Sequence, residues 1–514
     1  MDRNKSQLKI GIMLNYINIF LGNLIPIFYT PIMLQLLGQS EYGLYKLSSS
    51  VTSYLSLISL GIGSAVTRYL IMYQVEGKKE EEERILGLFM RIFRVIAIVT
   101  LIVGLILTCN LQVWYGEALT VRELQKMRII VGILVCNMAL GFSVSPYISV
   151  VNAHEKFIFL QCMNILSTSV IPIVNLIVLW LGYASVGMAI SSLVINVIIR
   201  FIYLVYVRYN LHIKARYKNL PFKLLKEILI FSFWVFIANI VAQLYNTTDT
   251  VMIGAIPALA TTGVAVYNVG TTFNNIMGTM TTGISNILLP RTNRMVFEGA
   301  ENSQLTELAI KIGRIQGEIV LLVITGFVAF GQAFIYYYAG AGYEDSYWVA
   351  VLIMIPNMVP LIQSICLNII IAQNRHRFRS IVYLIMAIMN VIGTWILMQS
   401  MGIIGAALMT GLVLILGQGI VMNWYYWKRI YIDIPRFWLE IGKICIVPII
   451  LCGCFIFISR YVNFYLIENL CCGIIIYSLL YIIFCWKYSM NKYERENIRE
   501  VLRKFINLRR KHDT

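Results

Sequence analysis

The sequence predicts an all-α polytopic membrane protein with about fourteen transmembrane helices. Of its 514 residues, 59% are hydrophobic and only 13% are charged, and the mean hydropathy is +0.75. Apolar runs of roughly 20 residues, the length that a helix needs to cross the hydrocarbon core, recur along the whole chain. These runs lack the two-residue alternation of β-barrel strands, so helices are expected.

The apolar runs set the order of the spans. The first run follows the short polar segment MDRNKSQLK and is too long for a secretory signal, so it is predicted to be the first membrane helix. The predicted spans cover residues 9–35, 43–72, 86–110, 126–151, 157–181, 185–207, 226–252, 263–290, 306–331, 347–372, 379–399, 403–427, 441–460 and 466–486.

Basic residues are distributed unevenly between the two sets of loops. The set that includes both termini holds 35 of the 42 Lys and Arg residues, the opposite loops hold five, and Arg68 and Arg200 lie within spans. By the positive-inside rule, both termini are predicted to be cytoplasmic. Topology therefore explains the net charge of +17, and no nucleic-acid partner is predicted.

Two stretches of the chain share one pattern. When Leu36–Gly77 is shifted by 222 residues onto Thr262–Gly299, Tyr45 meets Tyr267, and the Glu-Gly pair at the end of each stretch coincides. This suggests an internal duplication in which spans 1–6 match spans 7–12 in parallel orientation. The predicted domains are a six-helix bundle at 1–220, its repeat at 221–430, spans 13 and 14 at 431–488, and a basic amphipathic cytoplasmic tail at 489–514.

No hydrolytic, nucleotide-binding or metal-binding motif is present in the sequence, so we predict neither an enzyme nor a resident cofactor or metal. Ionisable residues in or beside spans become the functional candidates. Arg68 lies toward the cytoplasmic end of span 2, and Arg291 and Arg294 lie at the same depth on span 8. Their guanidinium groups suit phosphate or an acidic sugar, although anchoring to lipid headgroups is the alternative. Arg200 is predicted to be such an anchor.

Asp249 is the acidic candidate, in the outer third of span 7. It is predicted to couple transport to H⁺ or Na⁺ or to shape a gate, with helix capping and pairing to an arginine as alternatives. Three charged residues near the start of span 9, at positions 311, 314 and 318, are predicted to form a structural surface set: Lys311, Arg314 and Glu318.

Amide side chains on spans 1 and 7 are predicted to line a polar cleft. Amides in a wet cleft suit sugar hydroxyls, and hydrogen bonding between helices is the alternative. The residues are Asn15, Asn18, Asn239, Gln243 and Asn246.

The segments LLGQSEYGLY and LGIGSAVTRYL make the chain resemble Wzx-type polysaccharide-biosynthesis flippases, which move lipid-linked oligosaccharides. These belong to the multidrug/oligosaccharidyl-lipid/polysaccharide exporter superfamily. The pattern of a short turn after span 1 and glycines before an arginine in span 2 is met by Gly38, Tyr42, Gly43, Gly61, Gly63 and Arg68. The resemblance implies two six-helix bundles in a V, working by alternating access.

The resemblance also implies a cargo and a location. The cargo would be an undecaprenyl-diphosphate-linked oligosaccharide for capsule, O-antigen or exopolysaccharide, moved from the cytoplasmic to the outer leaflet of a bacterial inner membrane. Relatives that flip the peptidoglycan precursor carry arginines on spans 1, 2 and 8, and Arg68 and Arg291 would fill two of these roles. Span 1 lacks an arginine, which counts against that precursor. Membrane lipids and polysaccharide polymerase or assembly proteins are the implied partners of a monomer.

Two other functions stay open at this point. A cation-coupled multidrug exporter of the same superfamily would be expected to use several acidic residues in its bundles, and this chain offers Asp249 in a span, with Glu318 near a span end. A membrane-embedded polysaccharide polymerase or glycosyltransferase would be expected to have a large outer loop or a cytoplasmic catalytic domain with carboxylates. The longest predicted outer loop, near Gly340–Ser346, has only Glu344 and Asp345.

Overall fold

A computed structural model describes residues 2–218, 220, 224–373, 375, 377–492, 494–496 and 499. Within these residues the fold consists of sixteen α-helices with short 3₁₀ and π-helical segments, and it contains no β-strand. Most of the predicted amphipathic tail at 489–514 lies outside the described residues, including Ile498, Val501, Leu502 and Phe505, on which its helical pattern was predicted.

The first seven helices correspond to the first six predicted spans. They are α1 (Asp2–Leu37), α2 (Gln39–Ser53), α3 (Ile62–Val75), α4 (Lys79–Tyr115), α5 (Val121–Ala153), α6 (Phe157–Trp180) and α7 (Ala184–Val205).

The second span is broken between α2 and α3. A 3₁₀ segment, Tyr54–Ser59, follows α2, and the bend between the two parts is 41°. Leu60 and Gly61 have φ of 50° and 69° at the break, and glycine adopts this left-handed backbone without the penalty that a side chain brings.

The remaining helices follow in the predicted order. They are α8 (Leu225–Gly254), α9 (Ala260–Phe297), α10 (Asn302–Ala339), α11 (Asp345–Ile362), α12 (Ser364–Ala372), α13 (Arg377–Leu414), α14 (Asn423–Lys428), α15 (Ile434–Ile458) and α16 (Ile467–Phe484).

The structure confirms the all-α membrane fold with about fourteen spans. Among the described residues, eleven helices are long and apolar enough to cross a membrane, or twelve if the bent α2–α3 pair is one span. The helical stretch Arg377–Lys428 has 52 residues, roughly 78 Å, which is too long for one crossing of a core about 30 Å thick. Gly402, with φ 61° and ψ −141°, breaks it between the eleventh and twelfth predicted spans. The one predicted span still to be matched is the eighth, at 263–290, and it corresponds to α9. This helix is too polar to be counted among the clearly apolar spans.

The chain divides into two compact units. Unit 1 contains Met1–Asn268 with Asn390–Ala406, and unit 2 contains Val269–Met389 with Ala407–Thr514. Phe89 and Phe93 lie in the core of unit 1, and Phe330 packs edge-on against Phe455 in the core of unit 2. These units reflect packing, and the predicted domain boundaries, which reflect a sequence repeat, stay a prediction.

Close backbone contact holds part of unit 1 together. A Cβ atom on Gly43 of α2 would lie 1.8 Å from the carbonyl oxygen of Thr261, so only glycine allows α2 and the start of α9 to approach this closely. Beside this contact, the Glu123 carboxylate accepts hydrogen bonds from the hydroxyls of Ser40 and Thr261 at 2.7 and 3.1 Å. This packing places the first turns of α9 against α2 and α8.

Candidate functional site

Helix α9 presents a stripe of polar side chains within unit 2. Asn275, Thr279 and Thr282 are exposed and recur at spacings of four and three residues, which places them on one face of the helix. The two threonine hydroxyls donate to backbone carbonyls of the preceding turn, at 2.9 Å for Thr279 and 3.0 Å for Thr282. A hydroxyl that donates one hydrogen bond can also accept, and the Thr282 oxygen therefore keeps lone pairs for an outside donor. A face of this kind suits water or a hydroxylated ligand better than acyl chains.

Two exposed arginines, Arg291 and Arg294, lie farther along α9, near its carboxyl end. Arg291 is about two and a half turns beyond Thr282 and therefore lies on the other side of the helix from the stripe. A cation is favoured near the carboxyl end because the helix dipole is negative there. Arg291 and Lys311 of α10 line a cavity of about 570 Å³ on the α9–α10 connection. Three carboxylates line it too, those of Glu298, Glu301 and Glu307. The mixed lining suits a ligand that combines an anionic group with hydroxyl donors.

Arg68 lies on the exposed face of α3 in unit 1. Its neighbours Ala65, Val66 and Leu70 are fully buried, so the helix packs on the opposite face. Arg68 belongs to unit 1 and Arg291 to unit 2, and their joint action on one ligand stays a prediction.

Asp249 is buried in unit 1, with 4% of its surface exposed. The Tyr267 hydroxyl donates to one carboxylate oxygen at 2.6 Å, and the Asn390 amide donates to the other at 3.1 Å. The Thr394 hydroxyl is a third donor, at 3.4 Å. These three neutral donors thus connect the carboxylate on α8 to α9 and α13. Spacing along α8 gives no sign of these partners.

The predicted cleft amides separate into two groups. Asn18 accepts a hydrogen bond from the Thr168 hydroxyl of α6 at 3.0 Å, and Gln243 bonds Ser53 on α2 and Thr247 on its own helix. These two side chains link or brace helices. The exposed amides are those of Asn15 on α1 and of Asn239 and Asn246 on α8. The last two lie seven residues apart, on one face of their helix.

Arg200 is placed differently from the predicted anchor. Its guanidinium packs on α5, where a Cβ on Gly141 would lie 2.9 Å from Nη2. Nη1 is buried and has no hydrogen-bond partner among the described residues. The prediction that Arg200 reaches outward to lipid headgroups was therefore wrong. An arginine near the end of a span carries no signal of this inward direction.

The predicted surface set at the start of the ninth span was also wrong, because Arg314 and Glu318 are buried, with 3% and 9% exposed. Arg314 forms a bidentate ion pair with Glu494, at 2.6 and 3.0 Å, instead of pairing along its own helix. The partner lies 180 residues away in sequence, so helical spacing alone points to the wrong neighbours.

A protein-family comparison identifies the chain. The family described as "Polysaccharide biosynthesis protein" matches residues 9–296, more than half of the sequence. The chain belongs to this family. A comparison with curated proteins gives no match. The polar helix α9 and both of its arginines lie within the matched residues or at their end.

Solved structures with the same fold are membrane transporters and flippases. The lipid II flippase MurJ in an inward closed conformation is 14% identical, with a TM-score of 0.72 over 93% of this chain and 99% of that one. A multidrug-resistance MATE family transporter of the MOP superfamily in an inward-facing conformation is 14% identical, with a TM-score of 0.58 over 84% and 98%. The Vibrio cholerae MATE transporter VcmN in the bent form is 16% identical, with a TM-score of 0.54 over 85% and 99%.

The family and the fold place the protein in a class. It is a multi-pass membrane protein of the polysaccharide biosynthesis family, and the solved structures that share its fold are flippases and transporters. The resemblance drawn from the turn and glycine pattern of spans 1 and 2 is thereby confirmed at the level of the family.

Proposed function

We propose that the protein is a flippase that moves undecaprenyl-diphosphate-linked oligosaccharide units from the cytoplasmic to the outer leaflet of a bacterial inner membrane. The observation that carries the proposal is the exposed polar stripe of α9, a helix that also bears two exposed arginines, Arg291 and Arg294, near its carboxyl end. A hydroxylated and anionic head group matches this stripe. Membership of the polysaccharide biosynthesis family and the MurJ-like fold support the same cargo class.

Each part of the cargo has its own complementary group in this proposal. Arg68, Arg291 and Arg294 bind the diphosphate or an acidic sugar, because guanidinium offers paired donors to phosphate oxygens. Asn275, Thr279 and Thr282 of unit 2 exchange hydrogen bonds with sugar hydroxyls, and the exposed amides of Asn15, Asn239 and Asn246 of unit 1 have the same role in this proposal. The polyprenyl chain stays in lipid because it is apolar. The charged head group needs the polar side chains, because a charge in the hydrocarbon core is costly.

Asp249 is proposed to couple transport to a gradient of H⁺ or Na⁺. An ion that binds its carboxylate competes with the Tyr267, Asn390 and Thr394 donors that hold α8, α9 and α13 together. Ion binding and the packing of these helices are therefore linked, as alternating access requires.

The experiment is sided translocation in proteoliposomes. Purified protein is reconstituted with a fluorescent undecaprenyl-diphosphate oligosaccharide, and a glycosidase on one side reports how much lipid has crossed. We expect transport by the wild type and at least a tenfold loss in Arg291→Gln and in Asn275→Leu. Arg436→Gln, an exposed arginine on α15, is the matched control and should transport normally.

The outcomes separate the proposed roles. Normal transport by Arg291→Gln and Asn275→Leu would remove α9 from the cargo path and leave Arg291 as a lipid anchor. Absence of transport with any lipid-linked sugar by the correctly folded wild type would refute the flippase.

A second candidate is a cation-coupled multidrug exporter, favoured by the fold shared with MATE transporters. Efflux of an organic cation driven by a Na⁺ or H⁺ gradient, without movement of lipid-linked sugar, would establish it. The exposed stripe of α9 bears no carboxylate among its described residues, which favours the anionic cargo.

The flippase proposal also includes cytoplasmic termini, a monomeric state and contact with polymerase or assembly proteins.

A further inference from the structure

A second polar cavity lies in unit 2, away from the arginines. It encloses about 410 Å³ where α10 ends, α11 begins and the segment between α15 and α16 crosses them. The loop that shapes it turns at Gly340 and Gly342, whose φ values of 90° and 88° favour glycine. This loop follows the ninth predicted span and is predicted to face outward, so the cavity belongs to the face predicted to be outer.

The lining combines aromatic rings with carboxylates. Tyr336, Trp348 and Tyr465 each leave about half of their surface exposed, at 49%, 49% and 50%. Glu344 and Asp345 add two exposed carboxylates, and Gln332 adds an amide. None of the described lining residues is lysine or arginine. Two carboxylates without a cation beside them disfavour a diphosphate, so this cavity differs in chemistry from the one beside Arg291.

The aromatic rings are held in place by contacts from separate elements. Tyr336 and Tyr465 meet edge to face, with ring centroids 5.7 Å apart and planes at 78°. The Tyr337 hydroxyl donates to the backbone carbonyl of Tyr465 at 2.6 Å, which ties the α15–α16 segment to α10. Glu344 accepts from the backbone N–H of Gly342 at 3.1 Å, so its carboxylate is oriented by its own loop. A site whose groups are already positioned loses less entropy on binding.

We propose that this cavity binds a neutral saccharide unit of the cargo at the outer face. The C–H face of a pyranose ring carries partial positive charge and packs on the electron-rich face of an aromatic ring. Sugar hydroxyls donate to carboxylates, which only accept, and the amide of Gln332 can both donate and accept. The rings of Tyr336 and Tyr465 lie nearly perpendicular and form two differently oriented walls of the cavity. An organic cation also binds against ring faces, so it is the competing ligand in the test. The volume lies within the usual range of small-ligand sites, about 300–1,000 Å³.

This inference rests on the proposed function, because it supplies an outer station for the sugar that the flippase delivers. Its test is nevertheless independent of translocation. The full-length protein in detergent is titrated with lipid-free maltose, lactose and diacetylchitobiose, and with tetraphenylphosphonium as the organic cation. Binding is followed by saturation-transfer NMR on the ligand.

We expect at least one of the disaccharides to bind and to bind more tightly than tetraphenylphosphonium. The double variant Trp348→Ala/Tyr465→Ala should weaken sugar binding by about tenfold or more, since two aromatic contacts are lost. Trp348→Phe keeps a ring and should remain within about threefold of the wild type. Trp180→Ala is the matched control, because Trp180 is 81% exposed and ends α6 beside another loop predicted to be outer.

Three results would overturn the site: no disaccharide binds, the double variant binds as well as the wild type, or Trp180→Ala loses as much affinity as the double variant. Binding of tetraphenylphosphonium in preference to sugar would instead assign the cavity to organic cations. Sugar binding by a protein that fails to move lipid-linked sugar would refute the flippase and leave this site standing. Translocation of lipid-linked sugar by a protein that binds no free disaccharide would support the flippase and refute this site.

Discussion

Removal of the Arg314 guanidinium should destabilise unit 2 strongly. The side chains of Arg314 and Glu494 are 4% and 2% exposed, and two hydrogen bonds of 2.6 and 3.0 Å join them. Arg314 also donates to the backbone carbonyls of Ser489 at 2.8 Å and Glu440 at 3.1 Å. One guanidinium therefore ties α10 to α15 and to the segment after α16. In Arg314→Met the Glu494 carboxylate keeps its buried position and loses this partner.

The expected loss in the free energy of unfolding is about 3–5 kcal/mol, the usual effect of leaving a buried charge unpaired. A loss of 1 kcal/mol lowers Tm by about 2–4 °C in domains of 150–250 residues, so the predicted shift is roughly 6–20 °C. The double variant Arg314→Met/Glu494→Met removes both charges and should recover most of this loss, since apolar replacements of buried pairs are often neutral. Lys443→Met breaks an exposed pair with Glu440 on α15 and should cost about 1 kcal/mol or less.

The assay is the temperature at which half of the detergent-solubilised protein is lost from the monodisperse peak in size-exclusion chromatography. Wild type, the two single variants and the double variant are heated in parallel. A shift below about 2 °C for Arg314→Met would refute the reasoning. So would a double variant as unstable as Arg314→Met, because the unpaired charge would then not be the cause.

Three further predictions concern unit 1. Gly43→Ala should lower the free energy of unfolding by about 1–3 kcal/mol, because its Cβ would lie 1.8 Å from the Thr261 carbonyl oxygen. Gly63→Ala is the control and should be neutral or stabilising, because the space around its Cβ is open. Equal melting temperatures of the two variants would contradict this prediction. Asp249→Asn should keep the fold and remove the dependence of translocation on an H⁺ or Na⁺ gradient, and unaltered dependence would exclude the coupling role. Arg200→Met should raise the melting temperature, since it removes a buried donor, Nη1, that has no partner among the described residues; a drop in stability would contradict this.

Prediction from the sequence was most successful where one physical constraint dominates. The bilayer sets the length of each apolar run, so the spans were predicted close to their helices, including a boundary between the eleventh and twelfth spans that Gly402 marks. The sequence also predicted a span at 263–290, which α9 covers, although the polar stripe makes this helix less apolar than the eleven clear spans. Neighbouring helices decide whether that stripe is exposed and where the Arg200 side chain points. Residue spacing along a single helix carries no information about those neighbours.

The sequence by itself determined the class of the protein: a helical membrane protein with about fourteen spans and the motifs of the polysaccharide biosynthesis family. Tertiary structure decided which polar side chains are available to a ligand. Gln243 and Arg314 are engaged by other helices, whereas Asn275 is exposed. The reason is that hydropathy is a property of each segment, whereas a hydrogen bond between helices requires two residues that only folding brings together.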